Sequence, residues 1–257
     1  GLDRMGAKAD YLNWCQVGSG STAPAPTQTT LVARVAETSA TQSDTNANSG
    51  AAPYFARRTI TYRFAQGVAT GVLAEVGVGW ATTGSLYSRA LILDALGNPT
   101  TITVLADESL DVTYELRMYV WTAETTGSIV LKGVTHSTVQ KSSLAASWYL
   151  SIASMSAAEN PNCFAFTGAV SAGIDGSPSG ASIGSAAISA AAYTPGALMR
   201  TLNITAGLTQ WNNASGIGAI RIAAGWGYWQ IGFTPNIMKT ASDILTLQVR
   251  HSWGRKA

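Results

Sequence analysis

Charged side chains are scarce in this chain. Only 12% of its 257 residues are Asp, Glu, Lys or Arg, about half the roughly 25% of an average soluble domain. Sixteen basic residues stand against fourteen acidic ones, a net charge of +2. Phosphate neutralisation needs clustered Lys and Arg, so nucleic acid is excluded as a partner. Low net charge with 46% hydrophobic residues also excludes a disordered chain, which combines the opposite properties. No run of about 18 apolar residues exists, so no transmembrane helix and no membrane insertion are expected. The opening Gly1-Leu2-Asp3-Arg4-Met5-Gly6 has no basic stretch followed by an apolar one, so no signal peptide is read there. Cysteine and histidine are equally sparse. Cys15 and Cys163 could form one bridge but no disulfide framework. With His136 and His251 they offer no zinc-ligand spacing, and no metal or other cofactor is expected.

Small residues are abundant instead. Gly, Ala, Ser and Thr make up about 47% of the chain. A folded protein with so few long charged side chains reads as part of an assembly, whose surfaces are covered by neighbours. Charge is also unevenly placed. Residues 1–124 hold eleven acidic and eight basic side chains, whereas 125–257 hold three acidic ones (Glu159, Asp175, Asp243) and eight basic ones. That asymmetry is weak support for two domains.

Alternation with a period of two dominates. Ile60, Tyr62 and Phe64 fall on one face of a strand and Thr59, Thr61 and Arg63 on the other. Val72, Ala74, Val76, Val78 and Trp80 line one face of a second strand, opposite Glu75, Gly77 and Gly79. Residues 101–105 follow a turn at Leu96-Gly97-Asn98-Pro99. The clearest strand runs from Leu110 to Val120, with Asp111, Thr113, Glu115 and Arg117 on its polar face. One buried and one polar face is the signature of antiparallel sheets. Further strands are expected at 128–131, 148–152, 164–167, 198–206, 219–224, 228–233 and 244–250. Residues 36–53 read as a polar loop. Residues 168–197 read as a long Gly/Ala/Ser-rich arm, mobile or ordered by a neighbour. An acidic residue before an alternating strand that ends on Arg occurs twice, at 107–117 and 242–250; it reads as duplication of a β-unit or as two strands with ordinary patterning, the second being favoured. The expected fold is all-β: two antiparallel β-sandwich-like domains, 1–122 and 123–257, the second carrying the arm.

Chemistry finds few candidates. Gly18-Ser19-Gly20 and Gly77-Val78-Gly79 lead into no helix and hold no lysine, unlike phosphate loops. Asp107, Glu108, Asp111 and Glu115 are the one carboxylate cluster, as a glycosidase would need. Asp111 and Glu115 lie on a polar strand face, where cross-strand pairing is expected instead. No Gly-x-Ser-x-Gly elbow recommends a Ser-His-Asp triad, and no catalytic residue is assigned. Aromatic residues are more suggestive. Trp211, Trp226, Tyr228, Trp229 and Trp253 gather near the C-terminus, with Trp148 and Tyr149 upstream. Such rings contact partners or sugars when exposed, and fill a core or subunit interface otherwise. The sequons at Asn203 and Asn213 matter only in a eukaryotic secretory pathway, for which the sequence shows no sign.

Three segments resemble tail proteins of tailed bacteriophages and prophages. They are Tyr11-Leu12-Asn13-Trp14-Cys15-Gln16-Val17-Gly18-Ser19-Gly20-Ser21-Thr22-Ala23-Pro24, Glu75-Val76-Gly77-Val78-Gly79-Trp80, and Leu86-Tyr87-Ser88-Arg89-Ala90-Leu91-Ile92. The strand Leu110 to Arg117 and the closing His251-Ser252-Trp253-Gly254-Arg255 are similar to the same proteins. The likeness covers residues 1–120 and, more loosely, the remainder. It implies a non-enzymatic virion component of the tail fibre, baseplate or adaptor region. Such a chain would be made in the host cytoplasm, associate with other tail proteins and form a trimer or hexamer. A receptor-binding module using the C-terminal aromatics on a host glycan or pilus is the alternative. A polysaccharide-degrading tail enzyme ranks third. An outer-membrane barrel lacks the long lipid-facing alternation it would need.

Overall fold

The computed structural model describes residues 12–143, 162–174, 176–224 and 227–254. The chain is all-β and β-sandwich-like, with no helix among the described residues. The chain divides into two compact units. One holds the residues up to Asn46 with Arg57–Arg117, the other Ala47–Ala56 with the residues from Met118 on. The division therefore falls a few residues before the expected 122/123, and the 47–56 hairpin tip goes with the second unit.

The first unit contains a four-stranded antiparallel sheet in the order β2-β1-β6-β7. These strands are β1 (Trp14–Gly18), β2 (Arg34–Thr38), β6 (Glu75–Gly79) and β7 (Leu86–Leu91). Two short strands, β5 (Gly71–Leu73) and β8 (Ile102–Val104), pair separately. A third sheet has the order β3-β4-β9, from β3 (Thr41–Asn48), β4 (Phe55–Phe64) and β9 (Leu110–Tyr119); residues 47–48, 55–56 and 118–119 of these strands are counted with the second unit. The expected alternation holds on β4: Ile60, Tyr62 and Phe64 are at most 1% exposed. On the opposite face, Arg63 meets Asp111, Thr61 meets Thr113 and Thr59 meets Glu115. These cross-strand pairs fix the register of β4 on β9.

Two expectations for this unit are corrected. The strand expected over 72–80 breaks at Ala74 into β5 and β6. Glu75, expected on a polar face, is fully buried. Its carboxylate pairs with Arg89 at 2.7 Å and accepts N–H groups from Gly20, Val32 and Ala33 at 3.1, 3.1 and 2.8 Å. Arg89 in turn donates to Gln28 and to the Thr22 carbonyl. The loop from Ser19 to Ala33 is thus folded down onto the sheet. Residues 36–53, expected as loop, contribute to β2 and β3. A strand such as β3, polar on both faces, has no hydrophobic period to reveal it.

The second unit is an eight-stranded sheet in the order β10-β11-β16-β15-β12-β13-β14-β17. Its strands are β10 (Thr125–Leu131), β11 (Val134–Ser143), β12 (Asn162–Phe166), β13 (Ser182–Ala190), β14 (Met199–Ala206), β15 (Ile217–Ala224), β16 (Gly227–Ile237) and β17 (Leu245–Ser252). The local order β15-β12-β13-β14 is a Greek key: three successive strands and a fourth returning beside the first. β10 and β11 are joined through Lys132 and Gly133, both at positive φ, the geometry of the tight turn that suits strand twist. The sheet curls on itself. Trp229 on the third strand and His251 on the eighth have ring centroids 4.1 Å apart, where a flat sheet would separate them by about 24 Å. Lys132 beside β10 likewise reaches Asp243 before β17 at 2.5 Å. One core fills the curl, built on Cys163, Leu202, Ile204, Ile220, Ile222, Ile231 and Phe233.

The expected arm at 168–197 is also corrected. Its middle is β13, paired with β12 on one side and β14 on the other. Its first part lies against the sheet by close backbone approach: a Cβ on Gly218 would sit 2.5 Å from the Gly168 carbonyl oxygen. Small side chains here permit contact rather than mobility. β11 went unforeseen because Thr, His, Ser, Gln and Lys interrupt its pattern, and the strand expected at 148–152 lies outside the described residues.

Removing one partner of a buried ion pair strands the other charge. Glu75→Ala is expected to destabilise the first unit by about 3–5 kcal/mol, measured by urea unfolding. The double variant Glu75→Leu/Arg89→Met should cost less than the single one.

Candidate functional site

The carboxylates come first, because hydrolytic chemistry would need them. Asp111 is held by a two-pronged contact to Arg63, at 2.7 and 2.6 Å. Glu115 bonds Arg117 at 2.6 Å, with Arg57 at 3.5 Å. These guanidinium partners hold both carboxyls below their usual range. Glu108 accepts the Leu105 N–H. Asp111 and Glu115 are thus engaged as ion-pair partners on the polar strand face, as cross-strand pairing there predicts. At Glu75 burial pushes the carboxyl up. The Ala33 N–H, Arg89 and the Val32 N–H outweigh it and leave the carboxyl low.

The C-terminal aromatics separate into several places. Trp211 is 1% exposed, its indole N–H donates to the Gly184 carbonyl at 3.0 Å, and it belongs to the core of the curl. Trp229, paired with Ile222 across the strands, packs edge-on against His251. Trp253 stacks on Tyr193, centroids 5.7 Å apart, with both rings half-buried. Tyr228 belongs to a different group. Trp226, Trp148 and Tyr149 lie outside the described residues.

That group occupies the outer face of the curled sheet. Cross-strand register places Lys141, Gln230, Arg221 and Phe164 in one row, facing away from Ile220, Ile222, Cys163 and Ile231. The Arg221 guanidinium lies 5.0 Å from the Tyr228 ring centre, 5.6 Å from Phe164 and 5.7 Å from Phe166, all within cation–π range. It also donates to the Ser177 hydroxyl. Gln230 is fully buried and binds the Ser171 N–H at 2.8 Å and the Gly176 carbonyl at 2.6 Å. Lys141 binds Glu124 and the Ala172 carbonyl, each at 3.2 Å. The row clamps Ser171, Ala172, Gly176 and Ser177. The sequence carries one signal of it: Arg221 and Gln230 are the polar positions in otherwise apolar alternation, at Ile220-Arg221-Ile222 and Trp229-Gln230-Ile231.

Cys15 and Cys163 are free and buried, and burial raises both thiols, Cys15 to about 12. Among the described residues no group of His, Cys, Asp and Glu is set to hold a metal. An open cavity of about 270 Å³ in the first unit is lined mainly by apolar residues, including Val17, Leu73, Val76, Ile92 and Val112. It lacks the convergent polar groups of a small-molecule site. Comparison with protein-family models, curated proteins and solved structures gave no match.

Burial pushes the His251 imidazole down to about 4. An unfolded chain takes up that proton near pH 6.5, so the unfolded state binds more protons between the two values. Stability from this group is complete above about pH 6.5 and falls as pH drops toward 4, by up to about 3 kcal/mol. Urea unfolding of the second unit at pH 7.5 and 4.5 should show the loss, and His251→Phe should reduce it.

Proposed function

We propose that the chain is a structural subunit of a bacteriophage tail, in the fibre, baseplate or adaptor region, working through protein–protein contacts rather than catalysis. One observation carries the reading. The three segments that resemble tail proteins meet at a single buried junction: Glu75 from the second, Arg89 from the third, and Gly20 and Thr22 from the first. The likeness thus falls on residues that pin a loop to a sheet, which supports a structural reading. The surface adds support. Leu96, Trp121, Val130 and Ile244 are 87%, 72%, 66% and 64% exposed, and apolar side chains this open are contacts available to neighbours. In this reading the chain is made in the host cytoplasm, is incorporated into the virion and associates with copies of itself and other tail proteins.

A receptor-binding role is the second reading, favoured by the half-exposed stack of Trp253 on Tyr193. Paired rings of this kind offer rigid contact area to a glycan at low entropic cost. Binding of labelled protein to host cells, abolished by Trp253→Ala in a folded variant, would support it.

The tail assignment is tested on particles induced from the strain that encodes the chain. Mass spectrometry of purified particles should recover its peptides, and antibody-gold labelling should fall on tails. Particles free of the chain would overturn the assignment.

A further inference from the structure

The outer edge of β9 borders two apolar cavities. β9 is an outermost strand of its sheet, and β4 is its one ladder partner among the described residues. Arg63 with Asp111, Thr61 with Thr113 and Thr59 with Glu115 face each other in a single register. That register sets Val120 opposite Tyr54, and the Val120 N–H donates to the Tyr54 carbonyl at 3.1 Å. Backbone groups along an antiparallel strand turn alternately toward the partner and away from it. Even-numbered residues of β9 therefore turn their N–H and C=O groups to β4, and Asp111, Thr113 and Glu115 turn theirs outward. One cavity, of about 270 Å³, is lined by Leu110 to Thr113, and the other, of about 80 Å³, by Val112 to Tyr114. Residues from both faces of β9 line them and none of β4 does, which places them beside the outward edge. Their far walls are Leu73, Ile92 and Ile102 for the larger and Val78 and Ala90 for the smaller, with Val76 shared. All these residues belong to the first unit.

We infer that this edge takes an extended segment of a partner protein as an added strand, with a large apolar side chain in one cavity and a small one in the other. Strand addition draws affinity from main-chain hydrogen bonds and specificity from pockets for alternate side chains. β9 offers both at Asp111 and Thr113. The second cavity begins two residues further along β9 than the first, the repeat of side chains on one face of a strand. Their sizes set the chemistry of the segment. An apolar cavity of about 150 Å³ already holds benzene, so the larger one admits Leu, Ile or Phe and the smaller one Ala or Ser. Asp111 is engaged by Arg63, and Glu115 by Arg117, so neither calls for a cation on the incoming strand.

The inference builds on the assembly reading but is tested apart from it, in solution. Labelled peptides with the core Thr-X-Thr-Z-Thr, where X is Leu, Ile or Phe and Z is Ala or Ser, are titrated with the full chain. At least one should bind saturably, and Asp at X should weaken it by about tenfold or more. N-methylation at one set of alternate peptide residues should abolish binding, and at the other set should leave it, because one set faces β9. Thr113→Pro removes an outward N–H and leaves the bonds to β4. It should weaken binding by about tenfold or more with circular dichroism unchanged. Hydrogen exchange at Asp111, Thr113 and Glu115 should slow when peptide is added. No binding across the series, binding indifferent to both N-methylated sets, or unchanged exchange at these amides would each overturn the inference. Self-association that protects the same amides would give the edge to a second copy and overturn it as well. Absence from particles would overturn the tail assignment and leave this one standing.

Discussion

Buried polar side chains that project from strands and capture the backbone of a loop hold this structure together. Glu75 does so for the segment from Ser19 to Ala33, taking the buried N–H of Gly20 and the part-buried N–H groups of Val32 and Ala33. Gln230 does so on the outer face of the curled sheet, accepting from Ser171 and donating to Gly176. Gln16 repeats the device with the Ala81 carbonyl at 3.0 Å. Loops normally stay at the surface because buried backbone must be paired. Each anchor removes that obstacle at one place, so a long connection can serve as a further packing layer.

Small residues are the other half of the same arrangement. A loop held by its backbone must come close to the sheet, and close approach leaves no room for side chains. Gly20 shows this directly: a Cβ there would lie 2.5 Å from the Glu75 carboxylate oxygen and 2.6 Å from the Val32 Cβ. The scarcity of charge and the excess of Gly, Ala, Ser and Thr thus have an intramolecular cause as well as any intermolecular one.

Strands with one buried face were legible in the sequence. The alternation around Ile60, Tyr62 and Phe64, and along Leu110 to Tyr119, reports burial on one side and solvent on the other. Even the cross-strand pairing of Asp111 and Glu115 follows from their place on a polar face. Three kinds of element were illegible. β3 is polar on both faces, and β13 alternates only weakly between small residues, so neither offers a period of two in hydrophobicity. Glu75 sits where alternation demands a polar face, yet that face is covered by a loop contributed from 42 to 55 residues away in sequence. The aromatics misled for a related reason. Trp211, Tyr228, Trp229 and Trp253 cluster in sequence, but the sheet topology sends them to separate neighbours: the core, Arg221, His251 and Tyr193.

The two kinds of ion pair show where specificity resides. On the β4–β9 face, Arg63–Asp111 is exposed, screened by solvent and weakly stabilising. Glu75–Arg89 is sequestered, with side chains at most 2% exposed, and either partner alone would be an uncompensated buried charge. In these two pairs charge is committed to architecture: the exposed pair aligns two strands, and the buried one pins a loop to a sheet.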